Sequence, residues 1–214
     1  MTTAGRSISP RTSRSTCCEP RRPCWGGRCL GSRAAGRHVA DTMGQSKIAV
    51  FRHLLDGDEG LARQANAAFE QTYSDLVRRG RATPIPGAAE LLARLRESGV
   101  RVALTTGFAP PTRDALLDAL GWRDAVDLAL SPADAGGRGR PDPAMLLTAV
   151  LRLEVDDLRA VVVAGDTRSD VEAGLRAGAG LVVGVLTGAH DAATLTAAGA
   201  HRVLDSVVDL PIIG

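Results

Sequence analysis

From Val100 onward the chain alternates between short, largely apolar runs and segments whose apolar residues fall three and four apart, without an internal sequence repeat. Val100–Thr105, Val126–Leu130, Ala160–Ala164, Leu181–Leu186 and Arg202–Leu204 read as strands. Thr112–Leu120, Pro143–Leu153, Ser169–Ala177 and a short segment from Asp191 read as the helices between them. Short, largely apolar runs fit strands buried in a sheet, and a helix between successive strands makes their pairing parallel. The expected fold class is therefore α/β, a parallel sheet wrapped by helices. In such sheets ligands bind beyond the carboxyl ends of the strands, so the residues just after each strand matter most.

The preceding segment has a different texture. Ser46–Leu55 and Gly60–Arg79 carry apolar residues at helical spacing on either side of an Asp56-Gly57-Asp58 turn. Pro84-Ile85-Pro86-Gly87 then breaks the chain, and Ala88–Ser98 reads as a further helix. The organisation this predicts is a helical unit over residues 39–83 and an α/β core over 84–214. Residues 1–38 show neither period, are rich in Arg, Ser, Gly, Pro and Cys, and hold all four cysteines. They read as disordered, with the composition of G+C-rich coding sequence translated out of frame, and not as a secretory leader, which needs an apolar stretch of about 7–15 residues.

Charge divides the same way. The formal net charge of +2 averages a segment 1–38 with eight arginines and one acid, Glu19, against an acidic remainder. With aromatics at 3% the body lacks the stacking surface of a nucleic-acid binder. No apolar run approaches the roughly 18 residues of a membrane span. A body without cysteine cannot be tied by disulfides, so the expected setting is a reducing cytoplasm.

Three strand ends carry chemistry. Thr105-Thr106-Gly107 offers a hydroxyl and free N–H groups to a phosphate oxygen. Gly139-Arg140-Pro141-Asp142-Pro143 sets one guanidinium beside the start of a helix, an anion clamp. Gly165-Asp166-Thr167-Arg168-Ser169-Asp170 places two carboxylates four apart, suited to a hard cation such as Mg²⁺. Each has an ordinary structural reading: Thr106 a helix cap, Arg140 a surface ion pair, Asp166 and Asp170 capping residues. Their order on successive strands favours the functional one. The four histidines, His38, His53, His190 and His201, have no metal spacing and read as surface or capping residues.

Lys47 stands alone among 25 arginines. An arginine stays charged, whereas a desolvated lysine amine can lose its proton and attack a carbonyl. Its context is Met43-Gly44-Gln45-Ser46-Lys47-Ile48.

Together these residues resemble the haloacid dehalogenase superfamily from about Val39 to Ile213. Thr106 matches the second motif of its phosphotransfer members, Arg140 the third, and Asp166 with Asp170 the fourth. The resemblance implies a Rossmann-like parallel sheet under a small helical cap, with Mg²⁺ held by Asp166 and Asp170. It implies phosphate binding by Thr106, Gly107 and Arg140, and catalytic roles for Lys47, Thr106 and Arg140. Arginine in the third motif and a cap lysine in a Met-Gly-x-x-Lys-Ile context resemble the phosphonatase branch. In that branch the lysine forms a Schiff base with a 2-oxoalkyl phosphonate and the C–P bond is cleaved. Val50 stands where phosphonatases carry His, and Phe108 where they carry Tyr; both departures place the chain nearer the phosphonatase-like hydrolases.

The same resemblance implies a nucleophilic Asp ending the central first strand, in an Asp-x-Ala-Gly-Thr run that this sequence does not contain. Asp41 is preceded by no apolar strand. Impaired catalysis is expected for the chain as it stands. The alternatives are a phosphate monoesterase of the phosphoglycolate-phosphatase type, or an inactive remnant. The expected partner is a small phosphonate or phosphate ester, without nucleic acid or membrane; a homodimer stays open.

Overall fold

The computed structural model describes residues 24–25, 28–29, 37–39 and 42–211. The reading of residues 1–38 as disordered falls mainly outside these, and so does Asp41. Two pairs of residues within that segment are described: β1 (Cys24–Trp25) and β2 (Arg28–Cys29) form a two-residue antiparallel ladder.

The cap consists of α1 (Lys47–Leu54) and α2 (Glu59–Arg78). The turn between them puts Asp56 and Gly57 at positive φ, and Asp58 caps α2 by accepting the Leu61 N–H. Leu55, Ala62 and Ala65 are buried between the helices, with Ile48, Phe51 and Leu61 packed against them. This small centre matches the apolar spacing of both helices.

The core follows with α3 (Ala88–Glu97), β3 (Ala103–Thr105), α4 (Pro110–Leu120), β4 (Leu128–Leu130), α5 (Ala144–Arg152), β5 (Val162–Gly165), α6 (Arg168–Ala177), β6 (Leu181–Val185), α7 (Ala192–Ala197) and β7 (Arg202–Leu204). All five strands pair in parallel, as the alternation predicts, but in two ladders: β3 with β4, and β5 with β6 and β7. No strand pairing joins the two among the described residues. Strand β3 begins later than the apolar run suggests, because Val102 gives its N–H to the Asp127 side chain instead of a neighbouring strand. The main core lies on the second ladder, where Val163, Val171, Ala179, Val182 and Leu195 are buried together. No helix among the described residues is long and apolar enough to cross a membrane.

Cap and core meet along α2 and α4. The hydroxyls of Ser74 and Thr112 share a buried hydrogen bond of 3.0 Å, and the Tyr73 ring lies 4.4 Å from that of Phe108. A second junction involves backbone. The segment 44–47 runs against the loops that follow three strands, at distances that exclude side chains. A Cβ on Gly107 would collide with the Gln45 carbonyl, and one on Gly44 with the Thr167 hydroxyl. A Cβ on Gly139 would lie 2.8 Å from the Ser46 Cβ. Glycine is needed at Gly107 because the obstacle is main chain, which cannot rotate aside.

Gly107→Ala should therefore cost about 1–3 kcal/mol, the usual penalty of forcing extra volume into a packed place. Gly60→Ala, in the first turn of α2 with no neighbour nearer than 3.5 Å, should be neutral or stabilising by up to ~1 kcal/mol. Urea unfolding of the two variants beside the parent chain measures both.

Candidate active site

The three loops that receive segment 44–47 carry the residues singled out by the sequence. Beyond β3, the Thr106 N–H continues the ladder to the Leu130 carbonyl at 2.9 Å. Its hydroxyl accepts the Phe108 N–H at 3.3 Å. Thr106 is not a helix cap, since Ala109 holds that position for α4. The Gly107 carbonyl accepts the Lys47 N–H at 3.4 Å. Phe108 then projects toward the cap, with its ring centroid 5.7 Å from the Lys47 ammonium, within cation–π range.

Beyond β4, Arg140 Nη1 donates to Asp170 Oδ1. The two side chains are 14% and 5% exposed, so this pair is buried and not the surface contact that the plainer reading supposed. The Nε–H of Arg140 is buried with no acceptor among the described residues. A buried donor left without an acceptor costs about 1–3 kcal/mol, which an incoming oxyanion would relieve.

Beyond β5, Thr167 caps α6 and forms a capping box with Asp170, whose Oδ2 accepts the Thr167 N–H at 3.0 Å. Asp170 is thus a capping residue and the partner of Arg140 at once. Asp166 Oδ2 accepts the Ala189 N–H at 2.9 Å. His190 returns the contact by accepting the Arg168 N–H on Nδ1 at 2.8 Å, capping the first turn of α6. His53 stacks on His38 with ring centroids 3.7 Å apart, and His201 Nδ1 accepts the Val182 N–H.

Among the described residues no three acidic, His or Cys side chains gather into a ready cation cage. A magnesium ion does not need one, because it keeps several waters and takes only one or two carboxylates. An ionised carboxylate has about four lone-pair sites. Asp166 has one described side-chain hydrogen bond; Asp170 keeps a spare acceptor site on Oδ1 beside Arg140, while its Oδ2 is taken by the N–H and the hydroxyl of Thr167. The donor set fits Mg²⁺ completed by water and substrate oxygen.

Lys47 sits at the cap side of this assembly. Burial, and then the charge of Arg140, push its pKa below the ordinary lysine value, while Glu70 partly offsets them. A cavity of about 220 Å³ adjoins it, lined among others by Asn66, Glu70, Gly107, Phe108 and Pro132. Thr106, Arg140, Asp166 and Asp170 are not among the residues that line it; they stand on or directly after the three loops that segment 44–47 contacts. Hydrogen bonds and charge join Lys47, Gly107, Arg140 and Asp170 into one connected set, with Thr106 and Asp166 flanking it on their own loops. Asn66 and Glu70 were not singled out by the sequence. The signal was there: with Ser74 they are polar residues at four-residue spacing beside the face of α2 that buries Ala62, Ala65 and Val77.

Relatives of the chain identify its family. Residues 32–178 match a family model described as a hydrolase, haloacid dehalogenase-like hydrolase. The phosphonoacetaldehyde hydrolase of Parabacteroides distasonis is 31% identical over 155 residues, 60% of this chain and 57% of that protein. The phosphonoacetaldehyde hydrolase of Hahella chejuensis is 32% identical over 156 residues, 61% of this chain and 52% of that protein. The chain spans about half the length of the curated relatives it matches. The crystal structure of a phosphonoacetaldehyde hydrolase-like protein from Oleispira antarctica superposes with a TM-score of 0.71 at 26% identity, covering 81% of this chain and 76% of that one. With a family model matched over more than half its length and the expected α/β architecture, the chain belongs to the haloacid dehalogenase-like hydrolases.

Proposed function

We propose that the chain is a phosphonatase-like hydrolase whose Lys47 condenses with the carbonyl of a 2-oxoalkyl phosphonate as the first step toward C–P cleavage. The observation that carries this reading is the state of the lysine. It is the only one in the sequence, and partial burial together with the charge of Arg140 lowers the pKa of its amine. A lysine kept merely to contact an anion would gain from water and a full charge; a nucleophilic amine gains from losing both.

The roles follow from position. Arg140, through its unpaired Nε–H, holds a phosphoryl oxygen, and Thr106 and Gly107 contribute the hydroxyl and backbone at the neighbouring strand end. Lys47 attacks the carbonyl carbon, water leaves, and the resulting iminium receives the electron pair of the C–P bond as an enamine. Asp166 and Asp170 would hold Mg²⁺, which supplies neutralising charge to the phosphoryl group when bound. Transfer of that group needs a nucleophile. Since the sequence has no Asp-x-Ala-Gly-Thr run, phosphate release by this chain is expected to be weak even where imine formation proceeds.

Treatment with 2-oxopropylphosphonate and borohydride should leave a reduced adduct on Lys47, located by peptide mass spectrometry, and none on Lys47→Arg. Absence of the adduct on the parent chain rejects the Schiff-base reading. Hydrolysis of simple phosphate esters that survives in Lys47→Arg would identify a phosphate monoesterase instead.

The desolvated lysine also has a stability signature. Its pKa is lower in the folded than in the unfolded chain, so between the folded value and about 10.5 the unfolded state binds more protons. The resulting penalty is fully present below the folded pKa and fades as pH rises toward the unfolded one. Lys47→Met should therefore melt higher than the parent at neutral pH, with the gap closing in alkaline buffer, as thermal scans across pH would show.

A further inference from the structure

The cavity beside Lys47 has a feature that amine chemistry alone does not explain. Two acceptor atoms in its lining residues, Asn66 Oδ1 and Glu70 Oε2, are buried without a donor among the described residues. They lie one turn apart on α2 and come from the cap, not from a strand end. The other Glu70 oxygen, Oε1, accepts the Ala109 N–H at 3.0 Å. That bond ties the carboxylate to the core just past the Gly107 loop and fixes its orientation, leaving Oε2 for a partner yet to arrive. An acceptor in a dry place without a donor is unfavourable unless a donor arrives during use. Lys47, a source of protons, lines the same cavity.

We propose that Glu70 is the acid–base residue of the Lys47 amine, exchanging the protons that imine formation requires. The inference rests on the Schiff-base reading above and gives it a missing part. Glu70 Oε2 takes a proton from the Lys47 ammonium, leaving a neutral amine and a carboxylic acid. The amine attacks the carbonyl carbon; the new C–N bond forms as the C=O π pair moves onto oxygen, and a proton passes from nitrogen to that oxygen. Glu70 then returns its proton to the hydroxyl, which departs as water while the nitrogen lone pair closes the C=N bond. The ammonium's three hydrogens end as two in water and one on the iminium, and Glu70 finishes as a carboxylate beside a cation. The charged groups facing the amine are Arg140 from the core loop and Glu70 from α2, which act in opposite directions on its protonation.

The solitary lysine makes the test direct. Glu70→Gln keeps an oxygen for the Ala109 N–H and removes the proton site and the charge. Reductive methylation with carbon-13 formaldehyde gives one lysine resonance, and its pH titration reports the Lys47 pKa in parent and variant. Borohydride trapping with 2-oxopropylphosphonate at pH 7 gives the rate of imine formation in unmethylated protein. Glu70→Gln should lower the Lys47 pKa and slow trapping about 100-fold, the low end for loss of a general acid–base. The trapping rate should also lose its dependence on the ionisation of a carboxylate. Glu70→Asp should recover part of the rate, whereas a purely structural role would leave Asp no better than Gln. Parent-like trapping in Glu70→Gln, with adduct still forming on Lys47, overturns the role of Glu70 and leaves the Schiff base standing. No adduct on the parent chain overturns both.

Discussion

The site depends on an approach between backbones. Segment 44–47 lies so close to the loops after β3, β4 and β5 that Gly44, Gly107 and Gly139 have no room for ordinary side chains. At Gly107 the neighbour is the Gln45 main chain, which has no rotamers to absorb a shift, while Gly44 and Gly139 meet the side-chain atoms of Thr167 and Ser46. Lys47 therefore starts its helix at a fixed distance from three loops that each bring one polar group. The N–H of Lys47 is itself bonded to the Gly107 carbonyl, so the cap residue that matters most is anchored through its own backbone. A side chain that must be placed within a few tenths of an ångström of reacting atoms is best supported in this way.

Electrostatics then decides what that placement is for. Two cations, Lys47 and Arg140, face one junction, and Asp170 satisfies only Arg140. Lys47 is left with a phenyl face, a partly compensating carboxylate and little water. An arriving phosphonate carries negative charge, and by pairing with Arg140 it would draw the Lys47 amine back toward its protonated form. On the proposed mechanism the two functions of the pocket would conflict: the anion that must be bound suppresses the nucleophile that must attack. A carboxylate able to take the proton away resolves the conflict, and Glu70 lies in the same cavity wall as the amine.

Much of this was legible in the sequence where local chemistry sets structure. The run Leu181–Val185 is apolar at every position except glycine and lies in the middle of its ladder; Arg202–Leu204 is a strand as read. Asp166 to Asp170 could be placed because a strand end, a capping Thr and an acid three residues later are short-range signals. The split of the strands into two ladders left no local mark in the strands themselves; only the resemblance, which implies a central first strand that this sequence does not supply, pointed to unpaired strand edges. Glu70 and Asn66 escaped for a related reason. A helix pattern shows which residues share a face, but whether a polar residue there faces solvent or a cavity depends on Phe108 and Pro132, remote in sequence. The cysteine-rich beginning of the chain offered only composition.

The division of the strands bears on how far the chemistry can proceed. Imine formation needs Lys47, a proton site and an anion anchor, and these are joined by loop and cap contacts that do not require β3 and β5 to pair. Phosphoryl transfer needs in addition an attacking group in line with the C–P bond, for which neither Asp166 nor Asp170 is suited while one is held by the Ala189 N–H and the other by Arg140 and Thr167. On the proposed mechanism the two half-reactions would accordingly be separable in this chain. The amine can be assembled and activated by the cap while the phosphorus end of the substrate is held without being attacked. On this view the cap and the strand-end loops would form an imine-forming unit in their own right, and Val162, half exposed on β5, whose one strand partner among the described residues is β6, lies on the side of the sheet where the second half-reaction would lack support.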